Sequence, residues 1–254
     1  MTALKLTAHE LRGEQIFEAV KQLRLACCAV PSRSCSYLDV YAANQIPSCE
    51  KLCSFSGVKR KADGGARANA AAGRRRREPC CFRARSFVAN TDPSTLPGYH
   101  WVAFVVFADR PSVIYFFDSF GMPLSSYDDL YQTCLNKGYF SDTHIVASVN
   151  TRSLQGPTSS VCGHYCVLFL YLCARVSLGV SRARTSSQTG VALSAVRALV
   201  QVTGGDLAGA AERDAAVVSV LNELLKRKEQ LTPALSCSHI GTAIAHRQCC
   251  HPRN

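Results

Sequence analysis

Apolar positions recur along this chain with two different periods. Near the start, Leu11, Ile16, Val20 and Leu23 fall at helical spacing. Thr7-Ala8-His9-Glu10 has the form of a capping box, a hydroxyl answered by a Glu three residues later. Together they predict an amphipathic helix over 8–26, stopped by Pro31. Residues 31–57 are Ser- and Cys-rich and irregular, apart from a short strand at Tyr37 to Tyr41. Ser86 to Ala89 predicts a strand that enters the loop Asn90 to Gly98. Two strong apolar runs follow, His100 to Phe107 and Ser112 to Asp118, separated by the turn-like Ala108-Asp109-Arg110-Pro111. They predict a β-hairpin. Ser126 to Asp129 opens a helix ending near Gly138, and Ile145 to Val149 is a third apolar strand. Cys162 to Val176 is apolar on nearly every face, so it predicts a helix buried all round. Ser181 to Gly190 reads as a polar linker. Asp206 to Glu229 predicts a helix with the stripe Leu207, Ala211, Ala215, Val218, Leu221 and Leu225. The tail from Thr232 is irregular, and no internal repeat is visible.

This mixture of strands and helices predicts an α+β domain, with a central mixed or antiparallel sheet packed by helices. It spans residues 1–178, and a helical extension follows over 179–254. Apolar residues make up 47% of the 254 and charged residues 19%, which fits a globular chain. No run of about 18 uncharged apolar residues is present, so no transmembrane helix is expected. Met1 to Ala26 is charged throughout and lacks the apolar run of a secretory signal, so secretion is not expected.

The net charge of +11 is unevenly placed. Between Val58 and Ser86 ten Lys and Arg residues face only Asp63 and Glu78, which puts +8 in that segment. It is rich in Gly and Ala and has no apolar period, so residues 58–85 read as a solvated, disordered insertion. Lys59-Arg60-Lys61 and Arg74-Arg75-Arg76-Arg77 flank a twelve-residue spacer, the pattern of a bipartite nuclear-import signal read by an importin-type receptor. The same residues suit non-specific nucleic-acid binding through counterion release, or a plain charged loop.

Fourteen cysteines without an export signal leave core thiols, metal ligands or a nucleophile. Cys49 and Cys53 with Cys80 and Cys81 form one candidate zinc set. Cys237, His239, His246, Cys249, Cys250 and His251 form another. Neither spacing matches a paired Cys-x-x-Cys site, so the thiols read as free and no metal is assigned.

The hairpin brings the chemistry into view. With its turn centred near Asp109, pairing partners sum to about 218, and His100 lies opposite Asp118 on the same face. A carboxylate so placed fixes the imidazole tautomer and stabilises its charged form. Cys162 stands where a polar loop meets the buried helix, and a thiolate is favoured at the positive end of a helix dipole. Gly163 leaves room for a substrate backbone, and Gln155 lies on the same loop, where its amide can face a developing oxyanion. Cys166 and Cys173 read as small core hydrophobes.

Three segments carry a resemblance. They are Gly98-Tyr99-His100-Trp101-Val102-Ala103-Phe104, Phe117-Asp118-Ser119-Phe120-Gly121, and the run from Gln155-Gly156-Pro157 through Val161-Cys162-Gly163-His164 to Leu170. In order and spacing they resemble the adenovirus endopeptidases, or adenains, of the cysteine-protease clan shared with SUMO-specific proteases. A looser likeness takes in residues 14–57. The Gln-Gly-Pro opening resembles the adenain branch; deSUMOylases usually have Asp where Val161 stands. The resemblance implies a thiol endopeptidase in which Cys162 attacks, His100 acts as base and acid, and Asp118 orients His100. Gln155 and the Cys162 amide hold the oxyanion, and Trp101 shapes the site.

It further implies viral precursor proteins as substrates, a preference for small residues such as Gly, and action in the host nucleus or virion as a monomer. No cofactor is required for the chemistry, with DNA a candidate activator. Adenoviral enzymes usually carry Glu where Asp118 stands. Their activating peptide is disulfide-linked to a cysteine ahead of the nucleophile; His144 stands at the matching offset here, and the nearest thiol is Cys134. Such departures suit a diverged relative from another DNA virus or a virus-like DNA transposon. Two other readings share these residues: a deubiquitinase or deSUMOylase acting on host conjugates, and a basic nucleic-acid-binding virion protein with a vestigial site.

Overall fold

The computed structural model describes residues 4–25, 36–54, 84–108, 110–180 and 189–230. The basic clusters at 59–61 and 74–77, Cys80, Cys81 and the Cys/His-rich tail lie outside them. Among the described residues five strands form one sheet, ordered along the chain: β1 (Ser36–Tyr41), β2 (Ala84–Asn90), β3 (Trp101–Phe107), β4 (Arg110–Phe117) and β5 (Ile145–Ser148). The inner three are antiparallel, and β1 and β5 add in parallel at the two edges. The expected mixed α+β sheet is therefore present.

Side chains of a strand alternate between faces, and β3 is buried on both. Ala103, Val105 and Phe107 face one core, and Val102, Phe104 and Val106 face a second. The first core is covered by α1 (Gly13–Leu25) and α4 (Cys162–Val180). The second is covered by α2 (Cys49–Cys53) and α3 (Asp128–Asn136). Just past the end of α3 stands Gly138, whose φ of 77° suits a residue without a Cβ. There the N–H of Tyr139 bonds to the carbonyl of Cys134, closing the last turn.

Two helices complete the first core: α5 (Thr189–Val202) and α6 (Ala210–Gln230). Val191, Ala192, Ala195 and Leu199 of α5, with Val217, Leu221 and Leu225 of α6, are buried in the same cluster as α4. The segment expected as an extension thus packs directly on the helix that begins at Cys162. Helix α6 also holds the N-terminal segment: Asn222 exchanges two hydrogen bonds with the backbone of Leu6, at 2.7 and 2.8 Å.

Three expectations need correction. The first helix begins at Gly13, not residue 8, because its first turn is closed by other groups. The Arg12 carbonyl accepts from Gln15 and Ile16, and the Gln15 side chain returns to the Arg12 N–H at 2.9 Å. Leu6 and Leu11 are buried in the non-helical approach. In the hairpin, partners sum to 220 rather than 218, as in Phe104 with Phe116. The ladder shifts between Val106 and Phe107, opposite Pro111, which has no N–H to donate. In α6 the expected stripe starts too early: Leu207 is fully exposed, and Ala211 and Ala215 are exposed as well.

The stacked pair Phe117 and Phe169, with ring centroids 4.4 Å apart, joins β4 to α4 in the first core. Phe169→Ala removes a fully buried ring and should destabilise the fold by about 3–5 kcal/mol, measured by urea denaturation.

Candidate active site

The site forms where β3, β4 and α4 converge at one end of the sheet. His100 immediately precedes β3 and Asp118 immediately follows β4. The change in hairpin register from 218 to 220 is even, so both side chains keep the same face. They meet there: His100 Nε2 and Asp118 Oδ1 are 2.5 Å apart, and both residues are buried.

Asp118 is held by several other donors. The Phe120 N–H donates to Oδ1 at 3.2 Å, and the Met122 N–H and Tyr127 hydroxyl donate to Oδ2 at 2.8 and 3.0 Å. The turn needed for this wraps back through Gly121, at φ 72°, where a Cβ would lie 2.6 Å from the Arg152 backbone. Asn150 fixes the backbone itself, donating to the Asp118 carbonyl at 2.6 Å. The imidazole is flanked by the rings of Phe120 and Tyr127, at centroid distances of 4.7 and 5.6 Å. Burial, and then the proximity of Asp118, push the Tyr127 hydroxyl upward, so it remains a donor.

Nε2 of His100 is thereby committed to Asp118. Nδ1 is buried and completes no hydrogen bond of normal geometry, and Cys162 is the second side chain that acts on the ring. Burial opposes charging the imidazole, but the hydrogen bond to Asp118 and the interaction with Cys162 outweigh it and raise the ring to about 9. An imidazolium is then the resting form at neutral pH, and Nδ1 is the nitrogen able to exchange a proton with the thiol. His164 is a poor alternative base: burial lowers it to about 4 despite a contact from the Thr7 backbone.

Cys162 is the first residue of α4 and is buried. The Val161 carbonyl accepts from His164 and Tyr165, which makes Val161 the residue that opens the helix. The N–H groups of the first helical residues have no intrahelical acceptor, so those of Cys162 and Gly163 are available to an anion. One turn on, the buried Cys166 thiol donates to the Trp101 carbonyl at 3.2 Å, tying α4 to the start of β3 beside His100. Burial raises the thiols of Cys166 and Cys173 well above the usual range, in keeping with their reading as core hydrophobes.

Gln155 is oriented from both ends. Ser119 donates to its Oε1 at 2.7 Å, and its Nε2 donates to the Ser159 carbonyl at 2.6 Å. The Ser159 carbonyl, which can only accept, fixes which end is the amide nitrogen, and these two bonds leave one N–H uncommitted. Helix α6 braces the same loop. Asp214 accepts from the Gly156 N–H and from the Tyr165 hydroxyl, both at 3.0 Å, while Arg213 donates to the Leu154 carbonyl.

Trp101 lies beside the site, and Gly163 departs from the expectation. Trp101 follows His100 in the chain and so faces the other way, into the first core. It lines a cavity of about 450 Å³ with Arg12, Gly13, Asn90, Leu96 and Gly98, next to the site rather than over the His100 ring. The room that Gly163 leaves is taken by the first helix and its approach: a Cβ there would lie 3.0 Å from Ile16 and 3.3 Å from Leu11. Ser119, Tyr127, Asn150, Arg213 and Asp214 were not singled out from sequence. Ser119 adjoins Asp118, which is a local signal; Asp214 gives none, being one acid on a distant helix.

The comparisons bear on this same stretch. The adenovirus endoprotease family model matches residues 82–187, which hold His100, Asp118, Gln155 and Cys162. The match does not include residues 14–57. The chain is 36% identical over 103 residues to the protease of porcine adenovirus A serotype 3, covering 38% of this chain and 48% of that protein. It is 32% identical over 95 residues to the protease of bovine adenovirus 4, covering 35% and 47%. The chain therefore spans about half the length of the curated relatives it matches. Among solved structures it is similar to a de-sumoylating protease at 14% identity and a TM-score of 0.40, covering 89% and 85% of the two chains. It is also similar to the ASFV pS273R protease at 23% identity and a TM-score of 0.25, covering 44% and 42%.

Two measurements check the site's internal links. His100 binds its proton more tightly than the ordinary value of 6.5, so the charged ring contributes stability that is full below about pH 6.5 and is lost as pH rises through about 9. Asp118→Asn should move the imidazole titration, followed by NMR of the ring protons, toward lower pH. Asp214→Ala should lower stability by about 1–3 kcal/mol, since two donors lose their acceptor. It should also speed hydrogen exchange at the Gly156 amide.

Proposed function

We propose that this chain is a cysteine-type endopeptidase of adenain type, acting on viral or transposon precursor proteins. The observation that carries the reading is the buried His100–Asp118 pair, with its second imidazole nitrogen left to the cysteine at the N-terminus of α4. The match of that region to adenovirus endoproteases supports it.

The chemistry runs in two halves. The proton shared by Cys162 and His100 rests on His100 Nδ1, and the Cys162 thiolate attacks the peptide carbonyl carbon, forming a C–S bond. Charge collects on the carbonyl oxygen, where the Gln155 amide and the Cys162 backbone N–H stabilise it. The imidazolium then protonates the leaving nitrogen, the C–N bond breaks, and a thioester remains on Cys162. Water, deprotonated by His100, attacks that thioester through a second oxyanion. Release of the acid product returns the proton to the Cys162–His100 pair. Asp118 acts through His100, holding its tautomer and favouring its charged form.

The cavity beside Trp101 is a place for substrate residues on one side of the cleavage point. Its lining by Gly98 and Leu96 suits small or apolar groups, in line with a preference for Gly. The basic segment would bring DNA in as an activator and carry the chain to the host nucleus.

The test is hydrolysis of a viral precursor containing Gly-rich junctions by wild type, Cys162→Ala and Asp118→Asn, with and without DNA. Cys162→Ala should abolish cleavage, and Asp118→Asn should slow it by about 10²–10⁴-fold. Wild-type activity should fall on the alkaline side as His100 deprotonates near pH 9. Full activity in Cys162→Ala would overturn the assignment. Cleavage confined to ubiquitin-like fusions would instead identify a deconjugating enzyme.

A further inference from the structure

Away from the site just described, Cys49, Cys53 and His144 converge on the other face of the sheet, with one ligand atom of each within 4.8 Å of the others. We propose that these three residues bind a zinc ion, which staples α2 to the turn that precedes β5. The two cysteines stand four apart on one helix, so their side chains project from the same face. Their sulfurs are 3.6 Å apart. A disulfide needs about 2.0 Å. Two thiolates on a tetrahedral zinc, each about 2.3 Å from the metal, lie about 3.8 Å from one another. The observed spacing is close to the second figure and far from the first.

The third ligand comes from a turn held in place. Ser141 and His144 pair across it through two backbone hydrogen bonds, at 3.2 and 3.3 Å. The Thr143 and Ser141 hydroxyls lie 2.9 and 3.3 Å from His144 Nδ1. A proton held on Nδ1 by such partners leaves the lone pair on Nε2, which is how oxygen acceptors usually orient a metal-bound imidazole. The helix side is equally fixed. The Cys49 N–H donates to the Lys137 carbonyl at 2.9 Å, and the Tyr139 hydroxyl donates to the Pro47 carbonyl at 3.0 Å. Both halves of the site are therefore positioned without the metal. Two thiolates and an imidazole favour zinc over harder cations. Cys53 and His144 are half-exposed, which leaves solvent to fill a fourth position. The guanidinium of Arg85, held by the Lys51 carbonyl and Ser54, acts on Cys53 from the side. The buried Cys134 lies near Cys49 in the core beneath.

The test uses the full chain, reduced and stripped of metal, then titrated with zinc against a chromogenic chelator and separately with cobalt. Cys53→Ser and His144→Asn are compared with wild type; both positions are half-exposed, so the folded core should survive, and circular dichroism checks that it does. Each variant should bind one equivalent less than wild type, whatever other cysteines contribute. Each should also lose part of the thiolate-to-cobalt charge-transfer band, and zinc should raise the wild-type melting temperature more than either variant's. Equal stoichiometry in wild type and both folded variants would overturn the proposal. So would loss in Cys53→Ser with none in His144→Asn, or a Cys49–Cys53 disulfide whose reduction yields no zinc uptake.

Discussion

A helix with no polar flank has to be covered on every side, and α4 is such a helix. From Cys162 to Ala174 its residues are buried, and its neighbours are the sheet, α1, α5 and α6. That requirement organises the first core. It draws α5 and α6 back onto the sheet domain, and it seats Ile16 in the space left by Gly163. The same packing sets the position of the helix N-terminus, and with it Cys162. A side chain at the end of a well-packed rod has little freedom, which is what a nucleophile aligned with a fixed base needs.

The polar part of the site is built with the opposite logic. His100 and Asp118 are buried, and burial alone would keep the imidazole neutral. The charge persists because partners are arranged around it: the hydrogen bond to Asp118, whose carboxylate has three further donors, and the interaction with Cys162. Removing one member leaves the others buried and unpaired, so the cluster acts as a unit. The Gln155 loop shares this dependence. Ser119, the residue next to Asp118, holds Gln155, and Asp214 connects Gly156 to α6. The candidate site residues are thus linked through hydrogen bonds to neighbouring elements of the fold.

The two faces of the sheet carry different chemistry. One face supports α4, which begins at Cys162. The other holds a small helix and a turn whose thiols and imidazole meet at ligand spacing. Cys134, the thiol nearest His144 in the sequence, is fully buried on α3.

Much of this protein was legible in the sequence. Period-two runs marked β3 and β4, the unbroken apolar stretch marked α4, and the order His100, Asp118, Gln155, Cys162 marked the candidate site. These signals are local, or depend only on the alternation of a hairpin, which survives a register error of two. The missed features depend on long-range contacts. The start of α1 was set by Gln15 rather than Glu10, because the chain before Gly13 is needed to bury Leu6 and Leu11. Helix α5 has no charged face to mark its boundary against the polar linker. In α6 the inward face changes from Arg213 and Asp214 over the Gln155 loop to Val217, Leu221 and Leu225 in the core, so no single apolar stripe describes it. Which acid braces the Gln155 loop, and which histidine joins Cys49 and Cys53, was decided only when tertiary packing brought distant segments together.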